Sequence, residues 1–408
     1  MEITAEELDL PLVNTGYSLG WVLDKLEEHC EDYGRKRDNA KAKTISMSEI
    51  SGGKGFMSRV FATTVLFDNG NSFKVALKCF TFDVVEAQLD EDYKRNDWKS
   101  NIANYHNNEC ETLAFYSSFP GFPCPKAYFT QRISADSDCG LEGKEAPGVI
   151  IMDLLDGISF DEVEHTLTRG KVLNFVKDFA YLHDSIERLP REEWTGRFKG
   201  RSHWDPMMFS SGIAKIKQMS EKYPEISSYC QEYPKLECGP FTDYVIQKRP
   251  KELDLWTVVH GDCRTNNIIF KKNADGTASD EILAYIDFQT ACEGNPMFDA
   301  ARVLTLCCDS QIRREISEEA LQTYYNERQR LCKDRGEELK FDYQSIVELF
   351  ELAFVQQAIQ SAMFFSFSDA NDSLSAESRK RIDDRLKSIL IDADEVIKRR
   401  RIVEKSKE

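Results

Sequence analysis

The sequence lacks the marks of several large protein classes. Its 12 cysteines form no Cys-x-x-Cys pair. The histidines near a cysteine, His29 beside Cys30 and His106 before Cys110, have no matching half-site, so a structural zinc domain is not expected. No uninterrupted apolar run is long enough to span a bilayer. The opening residues MEITAEELDLPLVNTG carry neither a basic start nor an apolar segment, so no signal peptide is expected. The thiols are then most simply reduced, buried, small apolar groups in a cytoplasmic protein. No internal repeat is visible. Basic charge is in deficit: 53 Lys and Arg against 70 Asp and Glu leave a net charge of -17. That field repels nucleic-acid phosphates and anionic membrane surfaces, so neither is an expected partner.

What remains is a folded chain of 408 residues, 41% hydrophobic and 30% charged, long enough for two or three domains or lobes. Residues 17–30 place Leu19, Val22, Leu23 and Leu26 at helical spacing. Residues 31–43 read as a charged connection. From 45 to 80 the pattern is that of strands, with Asn69-Gly70 as a hairpin turn between VFATTVLF and KVALKCF. Residues 107–119 read as helix, FPCPKAYF as a proline-fixed connector into a strand, and 131–147 as a solvated loop. GVIIMDLLDG is a buried strand ending in a turn. Beyond Gly157 the pattern is mostly helical, with helices over 171–183, 316–333, 343–366 and 376–400. The expected division is a β-rich part over 1–152, a hinge at 153–157 and a helical part over 158–408 that carries a polar hairpin at 258–290.

Five local features share a chemical sense. SGGKGFMSRVF is Gly-rich before a strand, so Gly53 and Gly55, with Ser58, can bring backbone N–H groups to a phosphate; turns use glycine as well. Lys78 lies inside the apolar strand VALKCF, where it needs either a partner or an edge open to water. Glu109 and Glu111 follow on the next helix, and at least one of them is a solvated surface residue. VVHGDCRTNNIIF places Asp262 and Asn267 five residues apart in a polar loop between apolar segments; on its own this is also an Asx-rich turn. AYIDFQ then ends a further strand at Asp287. Phosphoryl transfer needs a cation on the nucleotide phosphates, a partner for that cation, a carboxylate at the acceptor hydroxyl, and an Asn and a second Asp for Mg2+. These residue types occur here in that order.

HGD with an Asn five residues on, followed by IDFQ, resembles the aminoglycoside-phosphotransferase and choline-kinase-like group. It is more closely similar to the CHK kinase-like, or ecdysteroid-kinase-like, family, whose pattern is roughly HGDxWxNN…IDxQ. The resemblance runs from about Ser51 to Leu306. It implies an α+β, two-lobed protein-kinase-like fold and an enzyme that uses ATP and Mg2+ to phosphorylate a hydroxyl group of a small molecule. By motif position, Asp262 is the catalytic carboxylate, Asn267 and Asp287 are the metal ligands, and Lys78 grips the phosphates. The family layout makes Glu111 the expected partner of Lys78, with Glu109 as the alternative. Backbone groups of Asp153 to Leu155 meet the adenine edge, and Asp299 braces the catalytic loop or caps its helix. His260 is structural.

The chain departs from that pattern at Cys263-Arg264, where Leu-Trp is usual, at Ser58, where a third Gly is usual, and at Asp153, where Glu is common. Arg264 is expected either to touch the γ-phosphate or to bridge a nearby carboxylate. Trp194, Trp204, Met207, Met208, Phe209 and the run Met363 to Phe365 are candidate acceptor walls, with core packing as their alternative. A steroid, a xenobiotic alcohol and an amino alcohol are all open as acceptors. A catalytically silent pseudokinase acting as a binding module is the rival reading. Oligomeric state is not legible.

Overall fold

The computed structural model describes residues 8, 17–50, 58–80, 86, 98–133, 148–198, 200, 205–369 and 374–408. Gly53, Gly55, Trp204 and most of the stretch 131–147, expected as a loop, lie outside the described residues. The chain divides into two compact units: described residues up to Ser118 with Cys124–Asp156, and Phe119–Pro123 with Gly157–Glu408.

The first unit is built on one antiparallel sheet, in spatial order β1 (Ala42–Glu49), β2 (Ser58–Phe67), β3 (Ser72–Phe80), β5 (Val149–Asp153), β4 (Ala127–Gln131). Gly70, at φ 84°, supplies the left-handed residue of the β2–β3 turn. Val65, Phe67, Val75, Leu77, Val149 and Ile151 bury one face of the sheet against Val22 and Leu26 of α1 (Leu19–His29). Ser18 caps α1 by accepting the N–H of Trp21 at 3.2 Å.

Residues 31–43, expected as a connection, instead contain a second helix, α2 (Glu31–Arg37). Its one apolar anchor, Tyr33, sits edge-on to Phe67 and Phe73. Acidic residues in its first turn and basic ones in its last complement the helix dipole. Pattern reading needs several periodic apolar residues, and this helix offers one. α3 (Trp98–Tyr116) completes the unit.

The second unit is mainly helical. Its long helices are α4 (Arg169–Glu187), α5 (Pro206–Lys222), α6 (Phe298–Leu306), α7 (Ser310–Asp334), α8 (Tyr343–Asp369) and α9 (Ala376–Arg400). α5 was not read from the sequence, although Asp205-Pro206 is a start signal: the Asp205 carboxylate accepts the N–H of Met207 at 2.8 Å and Pro206 opens the helix. Phe122 joins this unit because its ring stacks on Tyr285 at 5.1 Å and meets Phe179 at 5.6 Å.

The polar hairpin differs in detail from expectation. Strand β6 (Thr257–Val259) pairs with β9 (Cys292–Gly294), whereas β7 (Ile268–Lys272) pairs with β8 (Ala278–Tyr285). The HGDCRTNN loop therefore crosses between two separate ladders, and the hairpin turn lies at 273–277. Anchoring each end in a different ladder fixes the loop more firmly than a hairpin tip would be fixed.

Candidate active site

In the first unit, Lys78 lies on β3 between Val60 of β2 and Ile150 of β5. It is 8% exposed, so its ammonium needs an acceptor. Glu109 supplies it, with Oε1 2.7 Å from Nζ and the carboxylate 4% exposed. This corrects the choice of Glu111, which instead pairs with the exposed Arg132. Residues two apart on a helix point to nearly opposite sides, so only one of the two can face the sheet. Ser58 is buried at the start of β2 opposite Phe80. The Asp153 carboxylate accepts the Lys126 N–H at 3.0 Å and the Tyr128 hydroxyl, while its own N–H goes to the Lys126 carbonyl at 3.0 Å. Leu155 follows in the irregular, half-buried stretch after β5.

In the second unit, the residues of the HGDCRTNN loop are tied to one another and to α6. Gly261 takes φ 83°, a conformation that favours glycine. The buried Asp299 carboxylate accepts the N–H groups of His260 and Gly261 at 2.8 and 2.9 Å. Burial pushes its carboxyl up, while these two bonds pull the other way. Asp299 thus braces the loop from the first turn of α6 and does not cap the helix. His260 Nε2 lies 3.0 Å from the Ile286 carbonyl, and its Nδ1 accepts the Asp262 N–H at 3.3 Å. These two bonds fix one tautomer, with the proton on Nε2.

Asp262 is only partly exposed and heavily engaged. Arg302 of α6 donates to its Oδ1, while Arg264 Nε (3.4 Å) and Asn267 Nδ2 (3.3 Å) reach its Oδ2. Burial alone would raise its pKa; the guanidiniums of Arg302 and Arg264 outweigh that and hold it below the usual carboxylate value. Asn267 Nδ2 also donates to the Asp262 carbonyl at 2.9 Å. The Asn267 carbonyl accepts the Ile286 N–H at 3.0 Å. Asp287 thereby follows directly on a residue bonded to both His260 and Asn267. It adopts φ 67°, a left-handed conformation uncommon outside glycine, in which Asp and Asn are over-represented. Its charge also bears on Arg264.

Arg264 bridges two carboxylates. Nη1 donates to Glu162 at 2.7 Å, and the guanidinium lies 5.5 Å from the Phe364 ring centre. Glu162, 3% exposed, also accepts Asn266 Nδ2 at 2.9 Å. Neither Glu162 nor Arg302 was read from the sequence. Glu162 offered no signal; Arg302 offered one, since it stands three residues after Asp299 and so shares its helix face. Of the candidate acceptor walls, Trp194 and Phe365 are core residues, Met207 is exposed, and Met208, Phe209, Met363 and Phe364 are half-buried. Among the described residues no group of three or more His, Cys, Asp or Glu is arranged around a common point. Mg2+ does not need such a cage: it keeps several waters and takes one or two carboxylates besides phosphate oxygens.

A family model, DUF1679, described as "Uncharacterized oxidoreductase dhs-27", matches residues 35–396. The Caenorhabditis elegans protein of that description is 22% identical, over 86% of this chain and 42% of its own length. The "Uncharacterized kinase-like protein D1044.1" of the same organism is 25% identical, over 53% of this chain and 55% of its own length. The chain thus spans about half the length of these curated relatives. Among solved structures, choline kinase from Cryptosporidium parvum is similar at TM-score 0.48 and 12% identity, covering 94% of this chain and 98% of that one. A putative aminoglycoside phosphotransferase from Ralstonia eutropha is similar at TM-score 0.44 and 14% identity, covering 91% and 98%.

Proposed function

The chain belongs to the DUF1679 family, and we propose that it is an ATP-dependent phosphotransferase acting on a hydroxyl group of a small molecule. The observation that carries this reading is the loop geometry in the second unit. Asn267 donates to Asp262, and Ile286, next to Asp287, is bonded to both His260 and Asn267. Asp262 and Asn267 are thereby tied to each other by their side chains, and Asp287 is tied to them through the backbone of its neighbour Ile286. In this reading the two compact units are the two lobes of a protein-kinase-like fold.

The residues present fit Mg-ATP. Lys78, held by Glu109, would meet the nucleotide phosphates. Backbone groups from Asp153 to Leu155 would meet the adenine edge. Asn267 and Asp287 would hold Mg2+ through hard oxygens. When bound, Mg-ATP supplies the transferable phosphoryl group and the metal that offsets its charge. Asp262 accepts a hydrogen bond from the acceptor hydroxyl and aims its oxygen. Arg264, already paired with Glu162 and Asp262, screens the charge of the loop carboxylates. The acceptor is a hydroxylated small molecule, with steroids, xenobiotic alcohols and amino alcohols as the classes to screen. Among the described residues no helix is long and apolar enough to cross a membrane; a cytoplasmic location is part of this proposal.

The word oxidoreductase belongs to a relative of which this chain spans 42%. Dinucleotide-binding units are built on parallel strands with a helix opening at a Gly-rich turn. Every strand pairing among the described residues is antiparallel, so hydride transfer is not proposed. The rival is a silent nucleotide-binding module. ADP release from Mg-ATP, measured across a panel of hydroxylated metabolites, decides between them. Acceptor-dependent release that falls by ~10²–10⁴-fold in Asp262→Asn supports the transferase. Nucleotide binding with no turnover for any acceptor supports the silent module.

A further inference from the structure

The Asp262 carboxylate is held in one direction. Its Oδ1 is taken by Arg302 Nη2 in the closest of its contacts, and Oδ2 receives the longer bonds from Asn267 and Arg264. Arg302 and Asp299 share one face of α6, and Asp299 receives the N–H groups of His260 and Gly261. A single helix face therefore grips the loop twice, once by its backbone and once by its carboxylate.

The guanidinium is itself braced from α8. Arg302 Nη1 donates to Gln357 Oε1 and Gln360 Oε1, both at 3.2 Å, and Gln357 Nε2 donates to Gln360 Oε1 at 3.1 Å. Arg302 is 8% exposed, and its buried Nε–H has no acceptor among the described residues. A buried ion pair with an unsatisfied donor contributes little net stability compared with apolar packing. Stability alone does not account for this arrangement; the direction it imposes on Asp262 does.

We propose that Arg302 is a positioning residue that fixes the direction of the Asp262 carboxylate, with Gln357 and Gln360 fixing Arg302 in turn. The proposal rests on the reading of Asp262 as the carboxylate at the acceptor hydroxyl. The terminal torsion of an Asp side chain is soft, so an unheld carboxylate swings among directions that do not face the hydroxyl. A charged donor on Oδ1, itself held by two glutamines, restricts that freedom. Arg302 also draws negative charge from Asp262 and makes it a poorer proton acceptor, so its contribution is orientation and not basicity.

The test is a pair of variants, Arg302→Lys and Arg302→Met, each made in the wild-type and Asp262→Asn backgrounds. ADP release from Mg-ATP is measured with and without acceptor, and crystal structures are determined. A positioning role lowers kcat by ~10²-fold in Arg302→Met with KM for ATP unchanged. Arg302→Lys recovers part of that loss, and neither change lowers the residual rate of Asp262→Asn further. Equal losses in both backgrounds overturn the proposal, because a merely structural residue would act through the whole fold. An Arg302→Met crystal structure with the Asp262 carboxylate unmoved overturns it as well. If the wild type releases no ADP with any acceptor, the functional reading fails, and that structure still decides the role of Arg302. Should Arg302→Met not fold, Gln360→Ala removes part of the brace from a half-buried position and is expected to produce a smaller loss of the same kind.

Discussion

Lys78 Nζ and Glu109 Oε1 stand 2.7 Å apart, and both side chains are buried. Removing one member breaks a buried ion pair, at a cost of up to ~3–5 kcal/mol. Lys78→Met or Glu109→Ala is therefore expected to lower unfolding free energy by that order in urea titrations, and to raise KM for ATP. The double variant Lys78→Met, Glu109→Leu should recover much of the stability but none of the nucleotide affinity. Glu111→Ala should cost no more than ~1 kcal/mol, because its partner Arg132 is exposed. A Glu111→Ala variant less stable than Glu109→Ala would reverse the pairing.

Glu162 ties the catalytic loop to the segment before α4 through Arg264 and Asn266. Glu162→Ala leaves Arg264 with Asp262 and the charge of Asp287. The expected cost is ~1–3 kcal/mol of stability, below that of a fully stranded charge because Arg264 keeps these carboxylates. Turnover should fall by roughly tenfold from misplacement of Asn266 and its neighbour Asn267. Full activity in this variant would mean that the loop is held by α6 alone.

Asp178 provides a pH test. Burial pushes its carboxyl from 3.8 up to about 7, while the hydrogen bond from Tyr285 and the charge of Lys177 pull it down. Between those two values the folded chain carries a proton that the unfolded chain has lost. Its stabilising contribution is therefore complete below about pH 4 and is lost as pH rises through about 7. Asp178→Asn should flatten that slope and leave the chain more stable than wild type at pH 8, by on the order of 1–4 kcal/mol; the lower end applies to a half-buried group. An unchanged pH slope in the variant would show that another group titrates there.

Gly157 lies against the strand that follows the catalytic loop. A Cβ there would press on the Ile269 side chain and come within 2.7 Å of the Phe270 carbonyl oxygen. That oxygen already accepts the Ile158 N–H at 2.9 Å. Gly157→Ala should cost ~1–3 kcal/mol through overpacking, and should lower turnover because β7 begins one residue after Asn267. A melting temperature equal to wild type would show that the backbone moves aside freely.

The strands around Lys78, the helices over 171–183 and 376–400, and the residue types of the catalytic loop could be read from the sequence, because each depends on neighbours within a few positions. Helix α2 escaped because its burial rests on one tyrosine. The choice between Glu109 and Glu111 escaped for a geometric reason. Positions two apart on a helix differ by about 200° in direction, and which one turns inward depends on how the helix rolls against its sheet. Glu162 and Arg302 escaped because they meet the loop across 102 and 40 residues of chain.

By itself the sequence determined most of the strands and helices, the Asp262-to-Asn267 spacing and the resemblance that these carry. Those are properties of short stretches, set by local sterics, periodicity and turn chemistry. Only the tertiary structure decided which carboxylate neutralises Lys78, that Arg264 bridges Glu162 and Asp262, and that Arg302, bonded to Gln357 and Gln360, meets the Asp262 carboxylate. Burial makes those partnerships obligatory, since a charge removed from water must find its counterpart wherever packing brings one within reach, however far away it lies along the chain.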